Sequence, residues 1–205
     1  MNGPVHTIIG LSTGILGATV LYDNFPILQE SVLGPTAYVI AITYGSILPD
    51  LDLPGRPLHF LGGHRGITHT LVGPALCFVL MNIAKDSQFG ELSGLFRAGM
   101  LGIVVGWLLH IFADMFQRKG VPLFWPLSKA RIHIASIPVR YDKYICFFYI
   151  VALALIAVSF GDAVSTIQKM VTTMPGIAIA IVIGVFELRK AVSNAKQQNK
   201  RYKRR

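Results

Sequence analysis

Apolar residues dominate long stretches of the chain and are interrupted by short polar clusters. Six stretches free of Asp, Glu, Lys and Arg approach the roughly 20 apolar residues that cross a bilayer as a helix: 4–22, 32–48, 67–84, 98–113, 144–161 and 170–186. The pattern predicts an all-α, polytopic membrane protein of about six transmembrane helices. Residues 1–188 form a single helical domain and 189–205 a basic tail. Glycines and prolines within the runs, such as Gly34-Pro35, Pro74 and Pro175, are common in membrane helices whose neighbours re-satisfy the backbone. Small residues spaced as Gly10-Leu-Ser-Thr-Gly14 and Gly102-Ile-Val-Val-Gly106 favour close helix contact.

Composition agrees. Of 205 residues 53% are hydrophobic and 14% charged, which excludes both a disordered chain and an ordinary soluble globule. Net charge is +9, and the distribution of that charge decides what it means. With six spans, one side of the membrane collects sixteen basic residues, from Arg56 and Arg65 through the 118–143 segment to the 189–205 tail. The other side holds Lys85, Arg97 and Lys169, the remaining three of nineteen. By the positive-inside rule both termini are cytoplasmic, as in a multi-pass protein of a bacterial inner membrane. The tail reads as a topology signal held by anionic lipid headgroups; no aromatic-interleaved module accompanies it, which argues against nucleic acid. The opening Met1-Asn2-Gly3-Pro4 lacks a basic secretory segment, so the first apolar run is expected to be retained. Cys77 and Cys146 sit in apolar runs and read as small core residues rather than a disulfide or a CxxC site. The longest non-spanning stretch, 120–143, mixes Pro122, Phe124, Trp125 and Pro126 with basic residues, which suits an irregular chain lying in the headgroup layer, while the alternation around Ile132–Ile137 fits a short strand equally well.

Ionisable residues within or at the mouth of membrane helices are expensive and mark function. Here they converge. His6 opens the first span, Asp50 and Asp52 follow the second, His64 and His69 open the third, and His110 and Asp114 close the fourth, all at the cytoplasmic face of the predicted topology. The His110-Ile-Phe-Ala-Asp114 spacing places imidazole and carboxylate on one helix face, one turn apart. Pro49-Asp50-Leu51-Asp52 reads as a tight turn whose carboxylates point apart, with one of them expected in solvent. Four histidines and three aspartates without cysteine form a mixed nitrogen and oxygen donor set. Such a set suits Zn²⁺, with Mn²⁺ or Fe²⁺ as alternatives, more than Mg²⁺. Seven donors suffice for two ions bridged by a carboxylate, an arrangement that activates water for phosphoester displacement without a serine or cysteine nucleophile.

These residues resemble the YdjM-type membrane-bound metal-dependent hydrolases. The resemblance lies in Pro4-Val5-His6, the segment from Gly45 to Asp52, His64-Arg65-Gly66-Ile67-Thr68-His69-Thr70, and Gly106 through Gly120, which together span the first two thirds of the chain. A fainter similarity of order links them to the zinc-dependent phospholipase C fold, a helical scaffold with zinc between His and Asp residues, and implies phosphoester chemistry on lipid. Where that pattern leads one to expect a threonine after the aspartate, this chain has Gln117-Arg118-Lys119. The implied activity is hydrolysis of a phosphoester in a membrane lipid or other amphiphile. Arg65, Asp52 and Thr68 are expected to act in catalysis: Arg65 neutralises phosphate charge, and Thr68, with His133 as a further candidate, supplies hydrogen bonding or proton transfer. Arg118 and Lys119 are alternative phosphate contacts. Two other readings use the same cluster: a metal-ion or proton transporter, which needs polar residues continuing into the outer halves of the spans, and a non-catalytic membrane adaptor.

Overall fold

The computed structural model describes residues 3–19, 22–53, 66–86, 90–138 and 141–160, with positions 178, 182 and 185. His64, Arg65 and the 189–205 tail lie outside the described residues, as does nearly all of the sixth predicted span. Among the described residues the fold is all-helical. Five α-helices follow in order: α1 Gly3–Thr19, α2 Gly34–Gly45, α3 Val72–Ile83, α4 Glu91–Met115 and α5 Asp142–Phe160. Between α4 and α5 the chain is irregular as expected, apart from one antiparallel bridge between Val121 and Ile132.

Helix lengths depart from the six-run reading. The 25 residues of α4 reach about 37 Å, more than the roughly 30 Å of a hydrocarbon core, and α4 alone among the described helices is long and apolar enough to cross by itself. The second and third runs yield helices of only 12 residues each: turns at 32–33 and 46–47 and the 3-10 start at Leu48 trim the second, and 3-10 winding at both ends trims the third. Pro49 lacks an N–H, and its ring would meet the Gly45 carbonyl four residues back, so α2 stops at Gly45 and the chain continues as the 3-10 helix Leu48–Asp52. At the third run Ile67–His69 is a 3-10 turn and Thr70 is extended, delaying α3 to Val72. By contrast α4 begins seven residues before the apolar run that announces it, and takes Arg97 into the helix.

Helix α2 lies between α1 and α4, with Val39 and Ile42 fully buried. Glycine permits that closeness. A Cβ on Gly106 would stand 2.2 Å from the Ile42 carbonyl oxygen, and one on Gly10 would stand 2.4 Å from Ser46 Oγ. Both predicted small-residue pairs therefore face α2. Helices α3 and α5 differ: of α3 only Pro74 and Met81 are buried, while Leu76, Phe78 and Ile83, with Phe147, Phe148 and Leu155 of α5, are exposed. Faces this apolar fit lipid better than water.

Candidate metal centre

Successive helices run in alternating directions, so the start of α1, the end of α2, the turn before α3 and the end of α4 meet at one end of the bundle. There His6, Asp50, Asp52, Thr68, His69, His110 and Asp114 are all buried. The Asp50/Asp52 expectation needs correction: neither carboxylate reaches solvent. The 3-10 winding does aim them apart, but both aim into protein, Asp50 toward His110 and Asp52 toward His69.

The donors converge on a small volume. His110 Nε2 lies 3.2 Å from His69 Nε2 and 3.7 Å from Asp50 Oδ1. Asp114 spans the cluster, with Oδ1 3.5 Å from His6 Nε2 and Oδ2 3.6 Å from His69 Nε2. The His6 and His110 rings stack at 3.8 Å. Two ligands held tetrahedrally at about 2.0–2.1 Å from zinc stand about 3.3–3.4 Å apart, close to these separations. Among the described residues two triads have their ligand atoms within 4.8 Å of one another and could each hold an ion: His6 with Asp50 and His110, and His69 with His110 and Asp114.

Hydrogen bonds assign the ring protons. His110 Nδ1 is 2.7 Å from the Ser46 carbonyl oxygen, which can only accept, so Nδ1 carries a proton and Nε2 is the free donor atom. His69 Nδ1 is 3.2 Å from Asp52 Oδ2 and 3.1 Å from Thr68 Oγ1, whose own hydroxyl donates to Asp52. Neutral His69 therefore also presents Nε2. Two imidazole lone pairs then face each other at 3.2 Å, an arrangement that repels unless a cation or proton is shared. His6 supplies the clearest sign of fit to a metal. It is 1% exposed, yet among the described residues neither ring nitrogen makes a hydrogen bond, Asp114 Oδ1 standing 3.5 Å from Nε2. A buried, unsatisfied imidazole costs on the order of 1–3 kcal/mol, which coordination would recover.

Because His110 has one free nitrogen, it can serve only one of the two triads at a time. Asp52 approaches His69 from the side away from the cluster, the place of the carboxylate that orients a metal-bound histidine. Thr68 is engaged with Asp52 and His69, and its carbonyl accepts from Trp107 Nε1 at 2.7 Å. His133 is exposed on the 120–138 segment and takes no part in either triad, and Arg118 and Lys119 are exposed. Gln117, in the place of the expected threonine, is buried and donates to Asp142 at 3.4 Å, tying the end of α4 to α5. Two contributors escaped the sequence reading. Ser46 acts through its backbone carbonyl, which no residue pattern reveals. Trp107 lies one helical turn before His110, and that spacing could have suggested it.

The sequence model of a family described as "YdjM inner membrane protein" matches residues 1–191. The chain belongs to the YdjM family. Inner membrane protein YdjM of Escherichia coli (strain K12) is 35% identical over 92 residues, covering 39% of this chain and 44% of that relative. The Shigella flexneri protein of the same name gives the same figures. Uncharacterized protein YfhP of Bacillus subtilis (strain 168) is 25% identical over 158 residues, 76% of this chain and 46% of its own length. The chain thus matches less than half the length of each of these curated relatives. No solved structure matches it. Family membership makes this a membrane protein, as the exposed apolar faces of α3 and α5 suggested, and its buried His/Asp groups could hold a metal ion.

Proposed function

We propose that this YdjM-family chain is a multi-pass inner-membrane hydrolase that uses one or two divalent cations, zinc foremost, to cleave a phosphoester in a lipid or other amphiphile. In this reading both termini are cytoplasmic, the helices number about six, and the centre opens to the cytoplasmic leaflet. The observation that carries it is the convergence of three imidazoles, His6, His69 and His110, with the carboxylates of Asp50 and Asp114, in which the His6 ring nitrogens make no hydrogen bond among the described residues.

Bound cations supply Lewis acidity toward a phosphoryl oxygen and lower the pKa of water to about 7. The chain's own residues do the rest. His69 and His110 are each held through Nδ1, so their Nε2 atoms stay aimed into the centre. Asp114 offers one oxygen toward His6 and the other toward His69, the disposition of a bridging carboxylate if two ions bind. Asp52, expected to ligate metal and to act in catalysis, and Thr68, expected to supply hydrogen bonding or proton transfer, serve better by fixing the orientation of His69. Arg65, one residue beyond His64, is the proposed contact for substrate phosphate. Burial of the cluster excludes bulk water from the chemistry.

The test is metal analysis of detergent-purified protein, followed by a phospholipid panel. Stoichiometric zinc or manganese with release of a phosphorylated or dephosphorylated product supports the reading. Metal-loaded protein that turns over no phosphoester defeats it, and metal retained with ion flux in proteoliposomes would favour the transporter.

A further inference from the structure

Between α4 and α5 the chain is irregular without being loose. Val121 and Ile132 exchange reciprocal backbone hydrogen bonds of 3.0 and 2.9 Å and close residues 122–131 into a loop. Inside it the Trp125 N–H donates to the Pro122 carbonyl at 3.1 Å and the Ser128 N–H to the Phe124 carbonyl at 3.0 Å. Three further bonds attach the segment to the metal-centre end. The Leu71 N–H donates to Leu123, two residues past His69, while the N–H groups of Ile134 and Ile137 donate to Met115 and Phe116, directly after Asp114.

A loop so constrained would be expected to turn its apolar residues under, yet this one holds them out. Leu127 is 93% exposed, and Phe124, Trp125 and Ile134 are exposed with it. Lys129 and Arg131 are exposed on the loop, Arg118 and Lys119 just before it, and residues 116–138 contain no acidic residue. Apolar and aromatic tips beside unopposed positive charge match one partner: the boundary between acyl chains and anionic headgroups. A protein partner of matched shape would need its own carboxylates opposite these cations, whereas an anionic leaflet supplies them everywhere.

We propose that the 122–131 loop docks on the anionic lipid headgroup layer, and that its bond to Leu71, with those of the adjoining Ile134 and Ile137 to Met115 and Phe116, sets His69 and Asp114 at headgroup depth. This rests on membrane location and not on hydrolysis, so either can fail without the other.

The full chain contains two tryptophans, Trp107 and Trp125, and the fluorescence difference between wild type and Trp125→Phe isolates the loop. Protein is reconstituted in phosphatidylcholine vesicles with and without phosphatidylglycerol, and quenched by spin-labelled lipids or by aqueous acrylamide. The difference signal should be quenched about twofold or more by shallow than by deep labels, as for a segment inserted roughly 5–10 Å. Phosphatidylglycerol should strengthen this preference, and Lys129→Glu with Arg131→Glu should remove the strengthening. Leu127→Trp, read the same way, covers the case in which Trp125→Phe does not fold. Free access to acrylamide without lipid quenching overturns the proposal, as does shielding from both, the mark of a covering protein or second copy. Stronger quenching by deep labels overturns it too.

Discussion

The two ends of α4 carry ionisable residues under opposite conditions. Near its start Arg97 pairs with Glu30 from the α1–α2 connection, and Glu91 accepts from the Val32 N–H at 3.2 Å. The first is an ion pair and the second a carboxylate accepting from a backbone N–H, with Glu30 about one third exposed. Near the other end His110 and Asp114 meet His6, His69 and Asp50, three buried imidazoles against two buried carboxylates, and His6 makes no hydrogen bond among the described residues. A membrane helix tolerates charge at its ends in either way, but the atom left over at the first end is Arg97 Nε, an N–H that cannot ligate a cation, whereas the second leaves over imidazole nitrogens that can. An ion pair that satisfies itself is explained by folding; a cluster that does not satisfy itself asks for a ligand.

The sharpest break of this contrast is His110→Ala. His110 Nε2 belongs to both triads, so its loss leaves neither complete. Metal content measured by mass spectrometry should fall from stoichiometric to near background, while helical circular dichroism is retained. Full metal retention would remove the centre from the region.

Next comes the packing that brings the donors together. Gly106 lies one turn before His110, and any side chain there meets the Ile42 carbonyl oxygen. Gly106→Leu must push α2 from α4, at a cost of about 1–3 kcal/mol or more for overpacking. Because the same displacement moves Ser46 away from His110, thermal stability in detergent and metal affinity should fall together. Gly99 has open space where its Cβ would stand, so Gly99→Ala should change neither.

A subtler change tests what holds His69. Asp52→Asn keeps the volume but can offer its amide nitrogen to His69 Nδ1, favouring the wrong tautomer. Zinc affinity by competition with a chromophoric chelator should drop about 10–100-fold with stoichiometry unchanged, the usual effect of losing an orienting carboxylate. Unchanged affinity would mean that the Asp52 contact is only packing. Thr68→Ser, which keeps the hydroxyl, should behave as wild type, and Thr68→Val should move in the direction of Asp52→Asn.

How much of this was legible beforehand follows from which geometry each inference needed. The His110/Asp114 pair needs only helical periodicity, and gathering His6, His69 and His110 at one end needs only that successive helices alternate. Both survive in the structure. Hydropathy counts residues and not how they wind, so the runs at 32–48 and 67–84 concealed 3-10 turns, and α2 and α3 came out at 12 residues. Those turns are what sink Asp50 and Asp52 into protein, a consequence of Pro49 and of the neighbouring turn at Ile67–His69 rather than of the aspartates themselves. The Ser46 carbonyl that fixes His110 has no side-chain signature at all.

The smallest effect is expected at the opposite end, and its smallness completes the contrast. Arg97→Gln removes the cation from the Glu30 pair but leaves a side chain able to hydrogen-bond it, and Glu30 keeps access to solvent. Partly exposed pairs contribute about 0.2–1 kcal/mol, so the melting temperature should fall by a few degrees at most and metal content should not change. Among the described residues Arg97 Nε makes no hydrogen bond, so the substitution also removes one buried donor that was costing stability. If Arg97→Gln instead lowered metal occupancy as far as His110→Ala, the two ends of α4 would be coupled along the helix. The division between a structural and a chemical end would then have to be given up.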